Sequence, residues 1–263
     1  MSMRRNTGRD RRAQPQVVVG GVVVPNPVWK FDFQAANVSK GGTDLISQVN
    51  EQISGVDNAT QATEARKPLW TSNGAPSGTR DIALFAPDGA NLKTLSRTPA
   101  AAPFDATGYT VFCVFNRVLA ATGAWNTWLY NTGAARGGWA LQTTSGANGR
   151  KFEARTSAGT VKSATYGTYT LDTWECHTIR NYGGGANDVA SDTWFDTRVN
   201  GAQVAWTGTP WFWIPTSHAM TFGQAATTAL NDLKIGAARM YLGLLSDAQC
   251  AAVEAELMSA YGL

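Results

Sequence analysis

From Tyr109 onward the chain is cut into short β-prone runs separated by glycine- and asparagine-rich turns, and that spacing constrains the fold more than any other feature. Tyr109 to Val118 is almost entirely apolar or β-branched, as expected of a strand covered on both faces. Thr127–Tyr130, Trp139–Thr143, Phe152–Arg155, Val161–Thr165, Trp174–Arg180 and Trp194–Val199 follow at short intervals. Asn200-Gly201 then supplies a strong two-residue hairpin signal before Gln203–Trp206, Ala219–Phe222 and Lys234–Leu245. Upstream, Trp29, Phe31 and Phe33 alternate with Lys30 and Asp32, and Ile82–Phe85 and Leu92–Leu95 flank the turn Pro87-Asp88-Gly89. Leu45, Ile46, Val49 and Ile53 fall at helical spacing, yet among glycine, asparagine and threonine, so that segment reads equally as helix or strand. Many short strands with almost no helix predict an all-β fold, a sandwich or a barrel.

The stretch Leu233 to Leu263 closes the chain with a buried strand, a stop and a capped helix. Ile235, Met240, Leu242, Leu244 and Leu245 make an apolar run containing Gly236 and Gly243, which suits an inner strand better than a helix. Ser246 and Gln249 have capping-box spacing, Val253, Leu257 and Tyr261 recur every four residues with Cys250 on the same face, and Gly262 provides a left-handed stop. Glu254 and Glu256 are expected on the outer part of this helix.

The charge is uneven. Residues 1–16 contain Arg4, Arg5, Arg9, Arg11 and Arg12 against Asp10 alone, so the remainder of a chain with formal net charge +3 is close to neutral. A body-wide nucleic-acid surface is therefore not expected. The leader lacks hydrophobic periodicity and reads as an arm, either solvated or ordered against a larger assembly. Behind it, Val17, Val18, Val19, Gly20, Gly21, Val22, Val23 and Val24 form a β-prone segment with a flexible centre, an edge strand of the body or an addition to a neighbour's sheet. The domain division follows: arm and docking segment over 1–24, globular domain over 25–263. The valine run is too short and too far from the start for a signal peptide, and no run approaches a membrane span of about 20 apolar residues. Three widely spaced cysteines, Cys113, Cys176 and Cys250, read as buried free thiols in a protein made in a reducing cytosol.

At this point the order of pieces resembles the laminin-G-like members of the concanavalin A-like lectin/glucanase superfamily. The marks are Val56-Asp57-Asn58-Ala59-Thr60-Gln61-Ala62-Thr63 with Pro68, the core strand Tyr109 to Phe115, Asp172-Thr173-Trp174-Glu175-Cys176-His177, Val199-Asn200-Gly201, and Lys234-Ile235-Gly236 through Tyr261-Gly262. The resemblance covers roughly Pro27 to Leu263. It implies a two-sheet antiparallel jelly-roll sandwich with one C-terminal helix, used as a binding or scaffold module. Free-standing copies with short arms are similar to accessory proteins of tailed-phage particles.

The residues for catalysis are missing. Glycoside hydrolysis needs two carboxylates about 5–5.5 Å apart for retention, which hydrolases on this fold place on one strand as Glu-x-Asp-x-x-Glu. Here Glu153 and Glu175 stand alone in separate strands. His177 and His218 lack zinc-ligand spacing, and no nucleophile motif or phosphate loop is present. No cofactor is expected. Asp188, Asp192 and Asp196 lie in one short segment and are the weak calcium candidates, with a solvated loop as the plainer reading. The most suggestive surface feature is Trp206 to Pro215, where Trp206 is followed by Trp211, Phe212 and Trp213 crowded between Pro210 and Pro215; adjacent aromatics of an extended chain cannot all point inward. These observations point to a non-catalytic module that decorates a phage capsid or tail, with other virion proteins as partners, held by the arginines and valines of the arm. The alternative is a lectin-like module meeting host cell-surface glycan through the aromatic loop. Neither reading involves membrane insertion, and both leave room for a homo-oligomer.

Overall fold

A computed structural model describes residues 16–41, 43–53, 58–86, 92–97, 108–118, 126–132, 138–143, 149–155, 161–181, 195–207, 219–223 and 232–263, with backbone only for 126–132, 138–143, 153–155, 161–163, 195 and 219. In chain order the first strands are β1 (Gln16–Val19), β2 (Val22–Pro25), β3 (Trp29–Asp32), β4 (Val38–Lys40), β5 (Ile46–Val49), β6 (Ala59–Thr60), β7 (Leu69–Thr71), β8 (Ile82–Phe85) and β9 (Thr94–Arg97). The longer strands follow as β10 (Tyr109–Arg117), β11 (Asn126–Thr132), β12 (Gly138–Thr143), β13 (Gly149–Arg155), β14 (Val161–Thr168) and β15 (Trp174–Asn181). The last are β16 (Phe195–Val199), β17 (Ala202–Gln203), β18 (Ala219–Gly223) and β19 (Leu233–Leu242), before helix α1 (Asp247–Tyr261).

The strands form two large antiparallel sheets and one ribbon. The first sheet runs β17-β16-β15-β10-β19-β8-β7 with β3 also paired to β19, and the second runs β14-β13-β12-β11-β18-β9-β6-β5-β4. The sheets pack face to face over a core that includes Trp29, Phe31, Phe33, Ile46, Val49, Phe85, Leu95, Val111, Phe115, Ile179, Phe222, Ile235 and Met240. This is the expected jelly-roll-like sandwich. The segment of helical spacing resolves as β5, because Ile46 and Val49 are both buried against the facing sheet while Ser47 and Gln48 are half-exposed. A register shift against β4 between Ser39 and Lys40 lets two inward residues stand three apart.

The first sheet is covered on both sides, which is why every residue of β10 is buried. Its second face carries another core, Phe112, Val114, Trp174, Cys176, Ala237 and Tyr241 from the sheet and Leu245 from the link after it, against Cys250, Val253, Leu257 and Tyr261 from α1. The helix starts and stops as predicted. Ser246 accepts from the Gln249 N–H, the Gln249 side chain returns the bond, and Gly262 closes the end at φ +77°. Three ion pairs fasten it: Arg180 to Asp247, Arg198 to Glu254 (3.1 Å) and Arg239 to Glu256 (2.6 Å). Glu254 corrects the expectation of an outward face: it is only 2% exposed and accepts a 2.6 Å bond from the Thr178 hydroxyl. Cys113, Cys176 and Cys250 are buried free thiols, and burial pushes the Cys250 thiol up to about 12.

The outer face of the second sheet is different in character. Ser39, Gln48, Thr60, Ser96 and Thr221 are successive cross-strand partners and so share one row. Their neighbours Val49, Ala59, Leu95 and Phe222 point inward and are fully buried. The Ser96 and Thr221 hydroxyls hydrogen-bond each other at 3.1 Å. This face is uncharged, hydroxylated and wet along that row.

Candidate functional site

The valine segment is neither an edge strand of the body nor a single extended strand. It closes on itself as a hairpin, β1 paired with β2, through Gly20 and Gly21 at φ +55° and +81°. Both loop residues sit in the left-handed region that a two-residue hairpin turn demands and that glycine adopts without strain. The ribbon lies on α1. Val24 is fully buried and Val19 and Val22 pack beside it in the helix-side core. The Gln249 amide donates to the Val23 carbonyl at 2.9 Å, which occupies the backbone of β2 with the start of the helix. The other face points away: the cross-strand pair Val18 and Val23 is 65% and 51% exposed, while Val17, the partner of Val24 on the inner face, is still 43% exposed at the margin of the helix contact. The outer edge of β1 pairs with no strand among the described residues. No charged residue occurs from Ala13 to Pro25, although charge is the usual guard of an open sheet edge. Arg4, Arg5, Arg9, Arg11 and Arg12 lie outside the described residues.

Of the aromatic loop, only Trp206 falls within the described residues; Trp211, Phe212 and Trp213 lie outside them. Trp206 is not a surface platform. Its half-buried ring caps the inter-sheet core at 4.8 Å from Tyr166 and 6.1 Å from Phe152. Asp188 and Asp192 also lie outside the described residues, while Asp196 sits in β16 with its carboxylate engaged by the Arg180 guanidinium. Among the described residues no three His, Cys, Asp or Glu side chains group to hold a metal ion.

A polar chain inside the sandwich has the residue types of an active site but not the access. Arg150 Nε donates to Glu175 Oε2 at 3.0 Å, and His177 Nε2 lies 2.7 Å from the same carboxylate. On its other side His177 Nδ1 meets the Tyr166 hydroxyl at 3.1 Å. A carboxylate only accepts, so the proton sits on Nε2 and the Tyr166 O–H donates to Nδ1. Burial keeps the histidine neutral, with its pKa below the usual value despite the bond to Glu175. Burial alone would raise Glu175, but the bonds from His177 and Arg150 outweigh it and hold that carboxyl below the usual range. Phe115 stands 4.6 Å from the His177 ring and Tyr169 stacks on it at 5.9 Å. His177 is sealed within the core, so a substrate cannot reach this relay. Its role is to satisfy polar groups buried between the sheets.

An open cavity of about 400 Å³ lies at one end of the helix side, lined by Pro76, Asp172, Thr173, Trp174, Asn200, Gly262 and Leu263. Four segments distant in sequence build it. The loop at Pro76 is clipped to the helix end by the Ser77 N–H donating to the Tyr261 carbonyl at 3.2 Å. Asp172 precedes β15 at φ +52°, and Asn200 opens the β16–β17 hairpin turn at φ +49°. Trp174 forms part of the wall, its ring stacked on Tyr261 at 6.1 Å. Asn200 uses its Oδ1 to accept from the Cys176 N–H at 2.7 Å. Asp172 Oδ1 accepts from Asn116 at 3.2 Å and lies 3.4 Å from Lys234 Nζ. No sequence motif announced this site, because each contributing turn looks ordinary alone.

No protein-family description matches the sequence, and no curated protein is similar to it by sequence. By structure the chain is similar to the binding domain of botulinum neurotoxin serotype G, with a TM-score of 0.62, 11% identity, and coverage of 89% of this chain and 52% of that one. It is equally similar to the binding domain of Paraclostridial mosquitocidal protein 1, with a TM-score of 0.62, 9% identity and coverage of 89% and 52%. The ligand-binding domain of botulinum neurotoxin serotype D in complex with N-acetylneuraminic acid gives a TM-score of 0.53 at 10% identity, over 89% and 51%. The chain thus spans about half the length of these structures. At such identities the likeness is one of fold: a lectin-like, jelly-roll-like β-sandwich.

Proposed function

We propose that the chain is a non-catalytic binding module that a larger assembly holds by its N-terminal ribbon and the basic leader in front of it, as a capsid-decorating or tail accessory protein of a phage virion. The observation that carries this is the ribbon itself, pinned to α1 by Val24 and Gln249 while offering Val18, Val23 and the open edge of β1 outward. A neutral apolar edge next to five arginines suits strand addition onto a partner, with charge steering the approach. Three exposed valines fall well below the roughly 1,000 Å² that a stable independent interface needs. Repetition on a lattice and ordering of the leader would make up the difference. The sealed His177–Glu175 relay supports a role without chemistry. The structural likeness to toxin binding domains supports a binding role over an enzymatic one, and the sequence marks of a laminin-G-like, concanavalin A-like module agree with it.

The test uses particles purified from the producing host, with the protein quantified by immunoblot. The double variant Val18→Ser, Val23→Ser keeps the ribbon's inner face, and the truncation lacking residues 1–15 keeps the whole ribbon. Both are expected to fold normally and to fall at least tenfold in particle content. Undiminished incorporation of both, or recovery of the unaltered protein only in the unassembled fraction, would overturn the proposal.

A further inference from the structure

We infer that the cavity around Trp174 is a binding site for one neutral, hydroxyl-rich unit, a hexopyranoside residue of a glycan. The inference goes beyond the assembly reading and does not rest on the ribbon. Its volume of about 400 Å³ falls within the range of small-ligand sites. What selects the ligand is the set of polar groups left over once the protein has used what it needs. Asn200 spends its Oδ1 on the Cys176 N–H, and its Nδ2 has no partner among the described residues. Asp172 spends Oδ1 on Asn116 and Lys234, and its Oδ2 has none; the side chain is 67% exposed. The Trp174 indole N–H likewise has no acceptor among the described residues, and it is not a sealed atom of the core. The Thr173 hydroxyl has only a long 3.4 Å contact with the Leu171 carbonyl.

The cavity therefore offers two N–H donors, one carboxylate acceptor and one hydroxyl, beside an indole and a proline ring. Vicinal hydroxyls on a pyranose are donor and acceptor at once and match that mixture, while its C–H face tolerates aromatic and proline carbon. A phosphate or carboxylate ligand fits poorly, because the lining carries Asp172 and no cation; Lys234 reaches the site only through Asp172. Asp172 and Asn200, two of the three non-glycine residues with positive φ among the described residues, both line this one cavity, each set there by its turn.

Binding would be measured on the full chain by ligand-observed saturation-transfer NMR and calorimetry, with methyl hexopyranosides, a methyl N-acetylhexosaminide and N-acetylneuraminic acid as probes. Three conservative variants probe the leftover groups. Asn200→Asp keeps the cap on Cys176 and the turn but replaces the Nδ2 donor with an acceptor. Asp172→Asn keeps the left-handed residue and removes the charge. Trp174→Phe keeps a ring against Tyr261 and removes the indole N–H. Unfolding midpoints identify any variant that has lost its fold. At least one neutral glycoside is expected to bind in the millimolar range, with a loss of fivefold or more in each folded variant. N-acetylneuraminic acid is expected to bind more weakly than that glycoside and to gain in Asp172→Asn. No saturation of any neutral probe, unchanged affinity across the folded variants, or tightest binding of N-acetylneuraminic acid to the unaltered protein would overturn the assignment, whatever the outcome of the particle experiment.

Discussion

His177 shows how one buried side chain sets a pH dependence. Its neutral form is built into the core, donating to Glu175 and accepting from Tyr166, and burial holds its pKa below the ordinary histidine value. The unfolded chain therefore takes up the proton first as the pH falls. Stability from this residue is complete above about pH 6.5 and drains away below it, because protonation there favours the unfolded state. Glu175, with its carboxyl held low, loses its share only at more acidic pH. Urea midpoints at pH 7.5 and 5.5 are expected to differ more in the unaltered protein than in His177→Gln. Equal differences would assign the acid sensitivity elsewhere. Another buried acid, Glu254, marks the limit of single-residue reading. A four-residue repeat puts the apolar stripe on Val253, Leu257 and Tyr261, and nothing local reveals that Thr178 and Arg198 wait beside it with a hydroxyl and a guanidinium. Burial pushes this carboxyl up, against the bond from Thr178 and the charge of Arg198.

Among the elements, the docking of α1 onto β19 turns on a single glycine. The register of β10 with β19 shifts between Val114 and Phe115, leaving Gly236 as the extra residue of a bulge. A Cβ there would come within 2.2 Å of Cε1 of Tyr261, whose ring is itself stacked on Trp174 and cannot retreat. The Tyr261 hydroxyl proton is shared between the Gly236 carbonyl at 2.6 Å and Asp32 Oδ1 at 3.0 Å. Gly236→Ala is expected to cost about 2 kcal/mol of stability, as overpacking does. In combination with Tyr261→Leu the cost should be less than additive, as measured by urea unfolding of the two single variants and the double. Additive losses would mean that the helix does not set the constraint. Elements of this kind were legible where their signal was local: the alternation of Trp29, Phe31 and Phe33, the Asn200-Gly201 turn, the Ser246 capping box and the Gly262 stop all lie within a few residues of their effects. The ribbon was half legible, since two adjacent glycines between valine triplets are a hairpin signal as much as a flexible centre. Strand β5 was ambiguous because a bulge breaks the two-residue period. The cavity at Trp174 was not legible, for it needs Pro76, Asp172 and Asn200 brought together by long-range pairing.

For the molecule as a whole, the ribbon belongs energetically to the body while the residues before it do not have to. Val24 is fully buried beside α1, so removing residues 1–24 strips about 1.5–3 kcal/mol of burial from the helix-side core. Thermal unfolding is expected to drop by about 3–10 °C for that truncation and to stay unchanged for one lacking only residues 1–15. An equal drop in both would place stabilising contacts within the leader. The sequence of layers also gives the molecule a front and a back. The row Ser39, Gln48, Thr60, Ser96 and Thr221 lies on the far side of the sandwich from the valine ribbon, with both sheets in between. Anything that grips the dry valines must leave the hydroxylated row turned outward toward solvent, so attachment at one pole fixes the compass bearing of the other.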